Sequence, residues 1–230
     1  MPTLVDDEFG EMIIQKSLRA SSIRIRVQPN GKLKISAPRY TPNLVIKKML
    51  NKSREELRAL VSTHQDQAPD YHDGAQIGKS HSLTVVRGSQ DTVVRDKQRI
   101  IITLTDSSSI SDPEIIRIIR PVVEAALRRE AKSYLPKRLQ YLADQHGYGY
   151  SSVQFSHAGS RWGSCSSNGT ISLNIALMKL PFELIDYVIY HELAHTRHMN
   201  HSPEFWSEVA ACDPSYLKHK QLLKKESPAI

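Results

Sequence analysis

The sequence predicts an α+β fold, on three observations. Strand-like runs crowd the first 110 residues, a long helical pattern follows from residue 112, and a mixed region with a second helical run ends the chain. Strands gathered ahead of helices, rather than alternating with them, are the α+β pattern.

Each element has a local cause. Residues 22–28 read SIRIRVQ, apolar at every second position, as in a half-buried strand. Asn30-Gly31 tolerates positive φ and reads as a hairpin turn into a partner strand over 32–37, with a further strand over 12–16. Thr41 as N-cap and Pro42 at the first helical position open a helix over about 42–61, with Leu44, Leu50, Leu57 and Leu60 on its apolar side. Residues 63–80 are polar, with Pro69, Gly74 and Gly78, and read as loop; strands follow over 82–87, 91–95 and 99–105. Asp112-Pro113-Glu114 starts a helix that runs to about Asp144 and stops at Gly147, with a break or kink expected at Pro121 and at Pro136. The expected organisation is a β-rich region over 1–110 with one helix and a helical region over 111–230, joined as one integrated domain.

At 230 residues the chain can bury a core without disulfide or metal staples. With 40% hydrophobic and 24% charged residues it is neither collagen-like nor wholly disordered. The most apolar run, 184–190, carries Asp186 and falls far short of the roughly 18 residues of a membrane span. The acidic first ten residues lack the layout of a secretory signal, and Cys165 and Cys212 form no spaced framework, so a cytoplasmic protein with reduced thiols is expected. The net charge of +7 is concentrated in residues 1–60, where twelve Lys and Arg face six acids; residues 151–230 balance at seven each. Such a basic region suits nucleic acid or another acidic partner, or is a solvated surface.

Four of the ten histidines fall within residues 191–201, HELAHTRHMNH. His191-Glu192-Leu193-Ala194-His195 matches H-E-x-x-H. Positions i and i+4 share one helix face, so both imidazoles can hold one zinc ion while the intervening Glu192 reaches its water. Pro181 can start that helix, and Met199-Asn200 can end it. A catalytic zinc usually has three protein ligands. His201 precedes a new helix start, Ser202-Pro203-Glu204, and so stands at a corner where the chain folds back; His198, Glu204 and Glu208 are the rival third ligands.

The C-terminal half resembles the YgjP-like metallopeptidases, relatives of the SprT-like and WLM-type zinc proteases. The resemblance rests on RWGSC at 161–165, Asn168-Gly169, ISLN at 171–174, YVIYHELAH at 187–195 and NHSPEFW at 200–206. It implies a zincin-like core (an active-site helix with an antiparallel sheet), one zinc ion, and a peptide or protein substrate. By that resemblance His191, His195 and His201 are the ligands and Glu192 the catalytic residue. Arg161 and His198 are candidate substrate or oxyanion contacts. Two other functions stay open: a nucleic-acid-associated protease of the SprT-like kind, working through the basic N-terminal region, and a non-catalytic metal-binding or scaffold protein.

Overall fold

The computed structural model describes residues 3–27, 33–59 and 71–230. The turn expected at Asn30-Gly31, Leu60 and the end of the helix expected near Val61, and the first part of the loop expected over 63–80, lie outside them. The chain divides into two compact units, Met1–Ala68 and Pro69–Ile230.

The first unit is a four-stranded sheet with helices on one face. Its strands are β1 (Thr3–Asp6), β2 (Gly10–Ser17), β3 (Arg24–Val27) and β4 (Leu33–Pro38), in the order β1-β2-β4-β3. β3 and β4 pair antiparallel, with Arg26 opposite Lys34. Alternation sends Met12, Ile14, Leu33, Ile35 and Ala37 to one buried face, against Ile46 and Leu50 of α1 (Asn43–Lys52) and Leu57 of α2, helical over the described residues 54–59. The expected single helix is thus two, separated at Ser53. Pro42, not Thr41, is the N-cap: its backbone is extended while its carbonyl already accepts from Val45 and Ile46. That register turns Leu44 outward, 79% exposed, and Ile46 inward.

The second unit holds two sheets around one long helix. The first sheet has β5 (Gln76–Ile77), β6 (His81–Arg87), β7 (Thr92–Asp96) and β8 (Arg99–Leu104), in the order β5-β6-β8-β7. Its core residues, among them Leu83, Ile100 and Ile102, form one cluster with α3 (Pro113–His146) and with the helices that follow. The sequence sets a boundary near residue 110; the compact units divide at 68/69, because β5–β8 share their core with α3. The expected breaks at Pro121 and Pro136 do not end α3, which runs unbroken through both. Each proline deprives one carbonyl, of Arg117 or Lys132, of its amide partner, and both of those residues are exposed rather than buried. Burial of Ile119, Val123, Leu127, Leu135 and Leu139 holds the rest. Gly147, at φ 66°, ends the helix in the left-handed region.

The second sheet has β9 (Ser152–Ser156), β10 (Gly163–Cys165) and β11 (Thr170–Asn174), in the order β10-β11-β9. β10 and β11 form an antiparallel hairpin whose turn ends at Gly169, φ 75°. β9 pairs parallel to β11, so the sheet is mixed, not antiparallel as expected: the chain leaves β9, crosses to the far edge and returns through the hairpin. A 3-10 turn (Ile175–Lys179) leads to α4 (Phe182–Ala194), α5 (Pro203–Cys212) and α6 (Tyr216–Leu223). Among the described residues no helix is long and apolar enough to cross a membrane.

Candidate metal centre

α4 is buried nearly all round, from Leu184 to Ala194, and delivers His191 and Glu192 in its last turn. The helix ends sooner than Met199-Asn200 suggests, with His195 already its C-cap. Thr196 and Arg197 donate their amides to Leu193 and Ala194, tightening the last turn. Arg197 then anchors the turn: its guanidinium donates to Glu208 of α5 and, at 2.7 Å, to the carbonyl of Gly147, and it lies 4.2 Å over the ring of Tyr148. The chain reverses, and Ser202 caps α5 by accepting from the amide of Phe205.

That reversal brings His201 to the two histidines of α4. The ligand atoms of His191, His195 and His201 lie within 4.8 Å of one another. The Nε2 atoms of His191 and His201 are 3.1 Å apart. Tetrahedral coordination at metal–nitrogen distances of ~2.0–2.1 Å requires about 3.3 Å between ligand atoms. Phe205, fully buried, stands 4.5 to 4.9 Å from all three imidazoles, centroid to centroid, and fixes the cluster from below.

The donor chemistry suits a metal. Nδ1 of His195 donates to the carbonyl of His198 at 2.9 Å, which leaves the lone pair on Nε2. Burial, reinforced by His195, His201 and Lys220, pushes His191 down to about 3. Burial, with His195 and Lys220, also lowers His201. Both are therefore neutral at pH 7, the state in which imidazole is a ligand. Nδ1 of His191 and Oε2 of Glu192 are buried without a hydrogen-bond partner. Such orphans are rare in folded proteins and mark places where chemistry is wanted.

Burial pushes Glu192 up to about 8, opposed by the field of Arg161. A dication on the three imidazoles acts in the same direction as Arg161, towards the carboxylate. Glu192 lies against the backbone of β10. A Cβ on Gly163 would stand 2.6 Å from its Oε1 and 2.9 Å from its Cδ. Beside it opens a cavity of about 210 Å³, lined by Arg161, Trp162, Tyr187, Val188 and Leu223 together with His191 and Glu192.

The rival third ligands stand elsewhere. Nε2 of His198 is 3.9 Å from Glu208, Glu208 accepts from Tyr148 and Arg197, and Glu204 is exposed. Among the described residues only His191, His195 and His201 cluster as a metal-ligating group.

Three contributors escape the motif. His198 acts through its carbonyl. Gly163 acts by having no side chain, and a glycine inside a strand is the sequence sign of close approach. Asn174, fully buried, donates its Nδ2 to the carbonyls of Ala158 (2.7 Å) and Arg161 (2.8 Å) and accepts from Ala176, so it holds the segment that walls the cavity.

The family model for YgjP-like metallopeptidase domains matches residues 21–226. Among solved structures, the metallopeptidase zymogen abylysin of Pyrococcus abyssi is 29% identical, the match covering 39% of this chain and 92% of that one with a TM-score of 0.35. The metallopeptidase zymogen jannalysin of Methanocaldococcus jannaschii is 24% identical over 38% of this chain and 95% of that one, with a TM-score of 0.33. No curated protein matches.

Proposed function

We propose that this chain, which belongs to the YgjP-like metallopeptidase family, is a zinc-dependent peptidase with His191, His195 and His201 as ligands and Glu192 as general base. The observation that carries this reading is the convergence of three imidazoles beside a buried carboxyl whose Oε2 has no hydrogen-bond partner. When bound, zinc supplies a Lewis acid for the scissile carbonyl and brings the pKa of a water towards neutrality. Glu192 takes the proton of the attacking water and passes it to the leaving amine. A purely structural site needs no acid next to its ligand, which sets the scaffold reading behind.

Of the two candidate substrate or oxyanion contacts, Arg161 lines the cavity with Glu192, whereas the His198 side chain points to Glu208 and serves the site through its carbonyl. β10 is an edge strand of its sheet, so an extended peptide can add to it by main-chain hydrogen bonds. This favours peptides over other amides.

A second reading, binding to nucleic acid, has one observation in its favour. Exposed Arg24 and Arg26 share a sheet face with Lys34, and none of the three has a carboxylate partner among the described residues. A steep fall in DNA affinity with salt would support it. The peptidase reading is tested by metal analysis and hydrolysis of a denatured protein: Glu192→Gln should keep zinc and lose cleavage by about 10²–10⁴-fold. Equal cleavage by the variant would remove Glu192 from the mechanism.

A further inference from the structure

One cation lines the cavity and a second stands beside the three histidines. Arg161 lines the cavity, exposed, and among the described residues its guanidinium has no hydrogen bond or ion pair, though its field reaches Glu192. Lys220 of α6 lies with its Nζ 3.7 Å over the ring of Trp206, and that ring stacks on His201 at 5.6 Å and stands 5.9 Å from His191. The aromatic face holds the ammonium beside the centre, where its field reaches His191 and His201.

The neighbouring carboxylates are committed elsewhere. Asp213 accepts from His219 at 2.7 Å and from the amide of Ser215. Glu208 accepts from Tyr148 and Arg197. Asp186 pairs with Arg138. Among the described residues Glu192 is the one acid lining the cavity, and its proposed work is proton transfer. With a dication on the three imidazoles, Arg161 in the cavity wall and Lys220 beside the ligands, the centre would carry a positive field that an anionic substrate group would complement. Among cations, a guanidinium best matches a carboxylate, through two parallel hydrogen bonds.

Resting on the peptidase reading, we propose that the cavity beside Glu192 is a carboxylate-selecting subsite, with Arg161 as the specificity residue and Lys220 as its electrostatic support. The substrate class is a peptide with Asp or Glu adjoining the scissile bond, or with its own terminal carboxylate there. An oxyanion role for Arg161 predicts something different, since every peptide develops the same oxyanion and would suffer equally from loss of the arginine.

The test uses zinc-loaded protein and matched fluorogenic peptides that differ as Glu against Gln beside the cleaved bond, each with a free and an amidated C-terminus. The expected wild-type preference for the Glu peptide is about tenfold in kcat/KM, expressed in KM. In Arg161→Gln the Glu/Gln ratio falls to about one, in Arg161→Glu it inverts towards a matched Lys peptide, and in Lys220→Gln it falls part-way. Preference that follows amidation, rather than the side chain, assigns the subsite to the terminal carboxylate. A wild-type ratio of one, or equal loss on both peptides in Arg161→Gln, overturns the proposal. Binding of both peptides to Glu192→Gln protein separates the two claims. Tighter binding of the Glu peptide without cleavage by wild type keeps the subsite and sinks the peptidase reading, while cleavage without preference does the reverse.

Discussion

Replacing Gly163 by alanine should disable Glu192 while leaving the metal in place. Gly163 does not sit in the left-handed region, so the backbone itself accepts alanine. The obstacle is the new methyl, which would lie 2.6 Å from Oε1, 2.8 Å from Cγ and 2.9 Å from Cδ of Glu192. Ordinary contact needs roughly 3.5 Å, so the carboxyl or the strand must give by nearly 1 Å. Glu192 is only 5% exposed and is held by α4, whose neighbouring Leu193 and Ala194 are fully buried, while β10 is paired to β11. Overpacking of this kind costs about 1–3 kcal/mol. A misplacement near 1 Å of a reacting group costs about 10²-fold in rate. The assay measures kcat on a fluorogenic peptide, zinc per chain and the thermal midpoint. The expected result is a kcat lower by about 10²-fold with zinc retained and a midpoint lower by only a few degrees. Undiminished turnover would refute the contact between Gly163 and Glu192, and loss of zinc would show that the strand positions the ligands instead.

Other residues give sharper separations of role. His198→Ala keeps the carbonyl that orients His195, so metal affinity should stay within a few-fold of wild type; a fall of 10–100-fold, the cost of losing an outer-shell partner, would give the imidazole a part in the centre. Asn174→Ala strips a fully buried amide from two carbonyls and an amide N–H, and urea unfolding should show a loss of about 2–4 kcal/mol; less than about 1 kcal/mol would mean that water replaces it. For Glu130, burial raises the pKa, but hydrogen bonds from the Lys79 amide, His81 and Ser80 outweigh it and hold the carboxyl below 4.5. Its contribution is therefore present above the ordinary carboxylate range and lost as pH falls through the lowered value. Thermal midpoints of Glu130→Gln should consequently drop less steeply than wild type below about pH 5, and parallel curves would contradict the assignment.

The legible parts of this molecule were those set by neighbours in sequence. SIRIRVQ alternates, and β3 formed; Asp112-Pro113 opens α3 and Gly147 closes it. Spacing pairs His191 with His195 by one helical turn and sets His201 at a corner, while the choice of His201 over His198, Glu204 and Glu208 leans on the family resemblance. What the sequence hid depends on partners far along the chain. Glu192 meets Gly163 through a sheet that forms only when β10, β11 and α4 assemble. The early end of α4 at His195 follows from Arg197 reaching Gly147 and Glu208, contacts that no local periodicity records. α3 passes through two prolines because burial of its other face outweighs two lost hydrogen bonds, and propensity counts only the loss. The division at 68/69 has the same origin, since β5–β8 look like their N-terminal neighbours in sequence but bury their apolar residues with α3.

The most direct test of the account is zinc content and peptide hydrolysis measured together on wild type, Glu192→Gln and His201→Ala. The account predicts one zinc and cleavage for wild type, zinc without cleavage for Glu192→Gln, and loss of zinc for His201→Ala. Zinc held at full affinity by His201→Ala, or a wild type that binds zinc and cleaves no peptide, would contradict it.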